Sequence, residues 1–188
     1  MGCDLHLYCE IQRDDGTWEH AQGVKKDDDS QVPDVPYPDR IYSGRNYELF
    51  GWLAGVRCPE NQEFEEKGFP DDASPEVARI FASWGNDAHT PSWIYVDDIL
   101  KHAKGTVIVE GKMDKKQKEE LDADIVSKKP KWDKLYPHCG DTTDKSFVKF
   151  KYDVPRSFMF GSFFEAMEKC NQYKFGHGKA RIVFWFDN

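Results

Sequence analysis

The chain opens on a strict alternation. Cys3, Leu5, Leu7, Cys9 and Ile11 fall on one side of an extended backbone, and Asp4, His6, Tyr8, Glu10 and Gln12 on the other. That period of two marks a half-buried strand. Asp14-Asp15-Gly16 is a hairpin signal, so residues 17–20 are expected to return antiparallel beside it. Residues 25–44 carry Asp27-Asp28-Asp29 and the prolines Pro33, Pro36 and Pro38, which predicts a long, mobile surface loop without regular structure. From Arg45 to Val56 the period changes: Leu49, Phe50, Trp52, Leu53 and Val56 have helical spacing and predict a short buried helix. Ser74-Pro75-Glu76 supplies an N-cap, a first-turn proline and an early acid. The helix they start carries Val77, Ile80, Phe81 and Trp84 as its apolar stripe and stops at Gly85.

Beyond it the pattern predicts a polar loop over 86–92, a helix over 96–102 and a strand over 106–110. A polar helix over 114–122 and a loop over 128–144 follow. The chain ends with an aromatic-rich helix over 158–173, a turn at Gly176-His177-Gly178 and a strand over 180–186. Strands at both ends with helices between predict an α+β fold. Its expected form is one mainly antiparallel sheet that includes the N- and C-terminal strands and is packed with several helices.

Length and composition narrow the class. The 188 residues suffice for one core and not comfortably for two, so residues 1–188 are read as a single domain. With 14% aromatic residues there is ample apolar area to bury, which excludes a disordered chain. No apolar run approaches the roughly 18 residues a membrane span needs, and MGCDLH lacks the pattern of a signal peptide. A soluble, cytoplasmic protein is therefore expected. Cys3, Cys9, Cys58, Cys139 and Cys170 include no C-x-x-C pair and are read as small buried thiols. The net charge of −8 argues against a coat on duplex DNA. Residues 1–110 hold 10 Lys+Arg against 22 Asp+Glu, a net of −12, whereas residues 111–188 hold 16 against 12, a net of +4. The lysine-rich segment 111–134 is either a solvated helix and loop, the commoner reading, or an anion-binding patch.

Two Asp-x-His pairs are the sharpest candidates for chemistry. Asp4 and His6 share one strand face, while Asp87 and His89 sit in the loop after the 75–84 helix. Carboxylate with imidazole suits zinc, manganese or iron. The plain alternatives are a polar strand face for the first pair and helix-end capping for the second. Arg45 and Tyr47 open a helix, where an anion is favoured; with Ser92 and Trp93 they are candidates to hold a phosphate and stack a base. A salt bridge is the plain alternative for Arg45. Asp187 closes the last strand and is a further candidate ligand. Gly176-His177-Gly178 is followed by no Gly-Lys-Ser/Thr, so it is read as a turn. There is no Gly-x-Ser-x-Gly elbow, Rossmann fingerprint or His-Glu-x-x-His helix.

The residues Gly2-Cys3-Asp4-Leu5-His6, Arg45-Asn46-Tyr47-x-Leu49-Phe50, Leu53-Ala54-Gly55-Val56-Arg57 and Gly68-Phe69-Pro70-Asp71-Asp72-x-Ser74 form a recurring set. With Trp84-x-x-Asp87-x-His89, Ser92-Trp93 and the terminal Phe186-Asp187-Asn188, they resemble an uncharacterised family of small proteins of tailed bacteriophages and their bacterial hosts. The likeness covers about the first hundred residues and then the terminus. Where that family more often has His-Ser-x-Ser-Trp, this chain has His89-Thr90-Pro91-Ser92-Trp93, which keeps a hydroxyl and stiffens the segment. The resemblance implies a viral origin and brings no mechanism.

Three functions follow as expectations. The first is a metal-assisted hydrolase of a nucleotide or phosphodiester, with Asp4, His6, Asp87, His89 and Asp187 around a divalent ion and His6 and His89 catalytic. The second is a counter-defence protein that sequesters a nucleotide without turnover through Arg45, Tyr47 and Trp93. The third is a phage component that binds a host protein through the acidic first half.

Overall fold

The computed structural model describes residues 2–22, 34–135, 146–174 and 178–187. Strand β1 (Asp4–Gln12) and β2 (Trp18–His20) form the expected hairpin, and Asp15 accepts from the Thr17 amide at 2.9 Å to close the turn. Helix α1 (Tyr47–Ala54) starts where Asn46 accepts from the Leu49 amide at 3.0 Å, and it ends at Gly55 with φ 70°, a left-handed cap that glycine adopts without strain. Helix α2 (Pro75–Trp84) has the predicted bounds. Its cap differs: the Ser74 side chain makes no capping bond, and its amide instead donates to the buried Glu10 carboxylate at 2.6 Å.

The expected loop over 86–92 is largely a strand, β3 (His89–Tyr95), entered through a 3-10 turn Gly85–Asp87. Helix α3 (Val96–Lys101) follows directly. Strand β4 (Thr106–Asp114) runs four residues further than its apolar start suggested and pairs antiparallel with β5 (Phe147–Pro155), which the sequence reading did not anticipate. Between them α4 (Lys115–Val126) is capped by Asp114, which accepts from Lys116 and Gln117. The aromatic helix is split by Phe160 into α5 (Arg156–Met159) and α6 (Gly161–Tyr173), and β6 (Ala180–Asp187) follows. Within the expected irregular loop 25–44, Tyr37–Asp39 form a 3-10 turn; residues 25–33 lie outside the described residues. So do 136–144 of the expected 128–144 loop, Cys139, and His177 with Gly176.

The main sheet has the order β2-β1-β6-β3, antiparallel throughout, so the terminal strands are neighbours as expected, with Asp4 opposite Asp187. Both faces are covered. On one, Leu5, Leu7, Cys9, Ile94, Ile182, Phe184 and Phe186 pack with buried residues of α1, α3 and α6. On the other, Tyr8, Val183 and Trp185 pack with Val77 and Ile80 of α2 and with Val35. Double coverage explains why β1 is buried on both faces rather than one, and why β6 reads as an almost unbroken apolar run. The β4–β5 ribbon is a separate two-stranded sheet, joined to the first core by Val107, Val109, Met113, Phe150 and Val154.

Candidate functional site

The pairing of β1 with β6 brings three of the expected ligands to one end of the sheet. Asp187 accepts from the Asp4 amide at 2.9 Å through Oδ1, and its Oδ2 lies 3.2 Å from His6 Nε2. Asp4 in turn holds Arg45 through both carboxylate oxygens, at 2.7 Å to Nε and 2.6 Å to Nη2. The plain reading of Arg45 as a salt bridge is therefore correct as far as it goes. It leaves the Nη1 side of the guanidinium turned toward Gly2, 3.3 Å from where a Cβ would stand on that glycine.

Helix α1 places Tyr47 next to Arg45, exposed to 37%, with its edge on Phe50. A second guanidinium, Arg57, lies 5.8 Å from the centre of the Tyr47 ring and hydrogen-bonds the Cys3 thiol. Arg57 has φ 71°, a left-handed conformation that costs a non-glycine residue free energy. In the sequence Cys3 reads as a small buried thiol, and Arg57 carries no candidate role. No periodicity could have shown their contact, because it depends on how the segment leaving α1 meets the first strand.

His6 is covered by aromatic rings, with Trp84 at 4.1 Å and Trp185 at 5.9 Å between centroids. Burial pushes its pKa below the ordinary value, and Asp187 opposes that shift without reversing it. The imidazole is thus neutral near pH 7, and its buried Nδ1 has no hydrogen-bond partner among the described residues.

The two Asp-x-His pairs do not converge. In register His6 stands opposite Trp185 and stacks on it, whereas His89 stands opposite Phe186 and stacks on that ring at 5.9 Å. Successive residues of β6 point to opposite faces, so the two histidines lie on opposite sides of the sheet. His89 Nδ1 is 3.0 Å from the Thr90 hydroxyl, where Thr90 has φ 49° and the β3–β6 register shifts. Asp87 is exposed in the 3-10 turn. Among the described residues no group of three or more His, Cys, Asp and Glu is arranged to hold a metal ion. Asp4, His6 and Asp187 are the subset that shares one place, and a cation there would have to displace Arg45 from Asp4.

Ser92 and Trp93 belong elsewhere. The Ser92 hydroxyl is buried and accepts from the Lys67 amide at 3.1 Å. Trp93 lies opposite Val183, four positions along β6 from Asp187, with Lys67 at 4.1 Å and Arg181 at 5.5 Å from its ring centre. The fold therefore does not bring these two residues to the sheet end that holds Arg45 and Tyr47. Several depressions with described walls also lie away from the cluster. One of about 720 Å³ follows the β1–β2 turn past Ile11, Arg13 and Tyr173, and one of about 650 Å³ lies on the β4–β5 ribbon.

At the end of the sheet, then, two guanidiniums, an exposed tyrosine and two carboxylates meet beside a neutral buried histidine. No family model, curated protein or solved structure matches the chain.

Proposed function

We propose that the protein binds a nucleotide carrying a singly charged phosphodiester at the sheet end formed by Asp4, Arg45, Tyr47, Arg57 and Asp187, and sequesters it without turnover. The supporting observation is Arg45, held by Asp4 along one edge with Nη1 on the side of Gly2, while Arg57 lies against the Tyr47 ring and reaches Cys3 of the same strand end. A guanidinium fixed in this way loses little side-chain entropy when it takes up an anion. Two arginines against two carboxylates leave the cluster near neutrality, which disfavours polyphosphates and suits a monoanion. The carboxylates are acceptors for ribose hydroxyls or base amines, and Tyr47 offers a ring for stacking.

Incubation with a panel of linear and cyclic nucleotides, followed by chromatography of the filtrate before and after heat denaturation, tests this reading. A phosphodiester nucleotide should be depleted and then recovered unchanged. Arg45→Ala should weaken its binding by about tenfold to a hundredfold, the loss of a charge-assisted hydrogen bond. Binding should persist in a chelator. A new product would favour hydrolysis with His6 as base, loss of binding in the chelator would favour the metal-assisted reading, and no depletion by any member would overturn the proposal.

A further inference from the structure

Among the described residues, the large apolar side chains left exposed are Tyr37, Tyr47, Val126 and Phe158. The fold brings two of them to one place. Asn46, the residue before Tyr47, donates from Nδ2 to the carbonyl of Met159, the residue after Phe158, at 2.9 Å. That bond fixes the start of α1 against the end of α5. Tyr47 is 37% exposed and Phe158 47%, whereas Phe160, Phe163 and Phe164 of the same aromatic segment are buried. Exposed apolar groups with a polar rim mark contact surfaces. The rim here includes Ser43, Gly44, Arg45 and Ser157, all exposed. Neither 43–47 nor 156–162 contains an acidic residue, in a chain whose net charge is −8. The charge of Arg45 is met in part by Asp4, so the place suits a single negative charge rather than several.

We infer that the ligand of the sheet end is a dinucleoside phosphodiester, whose linking phosphate meets Arg45 and whose two bases stack on Tyr47 and Phe158. The inference rests on the reading of this end as a phosphodiester site. A mononucleotide has one base and leaves the second ring in water. A diester between two nucleosides carries one negative charge with a base on each side of it, which matches one guanidinium and two exposed rings held together by the Asn46 bond to Met159. Stacking tolerates any base because every base has a π-face, so the number of bases and the single charge define the ligand class. Tyrosine and phenylalanine rings also lose little side-chain entropy on contact. The same unit exists as a free dinucleotide and as a step within a single strand.

Calorimetric titration of the full chain with ApA, which has two bases and one diester, and with cyclic AMP, which has one of each, tests the inference. ApA should bind about tenfold to a hundredfold more tightly, the contribution of one stacked base. Phe158→Ala should bring the ratio of the two affinities close to one, Phe158→Trp should preserve it, and Val126→Ser, at an exposed apolar residue on α4, should not change it. The Tm of each variant confirms that it folds. A single-stranded hexa-adenylate separates the sources: tighter binding than ApA identifies a strand and weaker binding a free dinucleotide, and both support the two-ring assignment when Phe158→Ala weakens them. A parent chain that binds ApA and cyclic AMP equally, or a Phe158→Ala chain that keeps the parent's ratio, overturns the inference and leaves the phosphodiester reading standing. A parent chain that binds neither overturns both.

Discussion

His6 and His20 show how much a single residue type can conceal. Both sit on strands and both are buried, and His6 keeps its Nδ1 without a partner among the described residues while Nε2 meets Asp187. Desolvation lowers the pKa of each. His20 is faced by Tyr8 and by the charges of Glu10, Glu76 and Asp34, which pull its pKa the other way but do not outweigh burial. In the unfolded chain a histidine titrates near 6.5, so below that pH the unfolded state binds protons that the folded state refuses. Stability is therefore complete above about pH 6.5 and falls as the pH drops, by at most roughly 1.4 kcal/mol per pH unit for each histidine. Denaturant unfolding at pH 7.5 and pH 5 should show this loss, and His20→Phe should reduce it. An unchanged pH slope in that variant would show that His20 takes up protons equally in the folded and unfolded states. The sequence placed His6 correctly on a strand with Asp4, but it could not show that Trp84, 78 positions away, would close over the ring.

At the scale of elements, regular patterns were legible and tertiary overrides were not. Helix α2 was read to its bounds because proline, apolar stripe and glycine agreed. Strand β5 was missed although Val148, Phe150, Tyr152 and Val154 alternate with Lys149, Lys151 and Asp153; the lysines and the polar segment before it masked the period. The segment 86–92 looked like loop because Pro91 and the hydroxyls weaken a strand signal. It lies at the sheet edge, where proline is tolerated, and Thr90 takes up the register shift. The strongest tie between elements joins β1, β6 and the segment before α2. Arg181, 2% exposed, binds Glu10 at 2.7 Å and Asp72 at 2.7 Å while lying 3.9 Å over the Trp18 ring. Glu10, fully buried, also accepts from Ser74. Removing one member strands the other's charge, so Arg181→Ala should cost about 3–5 kcal/mol in urea unfolding or prevent folding. Glu10→Gln, which keeps an acceptor for Ser74, should cost less. An Arg181→Ala protein as stable as the parent would contradict this account of the network.

The whole molecule brings to one sheet end residues that the sequence scattered across the chain: Cys3, Asp4 and His6 from the start, Arg45, Tyr47 and Arg57 around α1, and Asp187 from the end. The pairing of terminal strands made the Asp4 and Asp187 juxtaposition readable in advance. It also separated His6 from His89, because neighbouring residues of β6 carry them to opposite faces, and it set Ser92 and Trp93 further along the sheet. Among the described residues no helix is long and apolar enough to cross a membrane. The most direct test of the central claim is amide chemical-shift mapping with the best phosphodiester nucleotide from the panel. The account predicts that perturbations concentrate at residues 2–6, 45–57 and 187. Perturbations absent there, or confined to the β4–β5 ribbon, would contradict it.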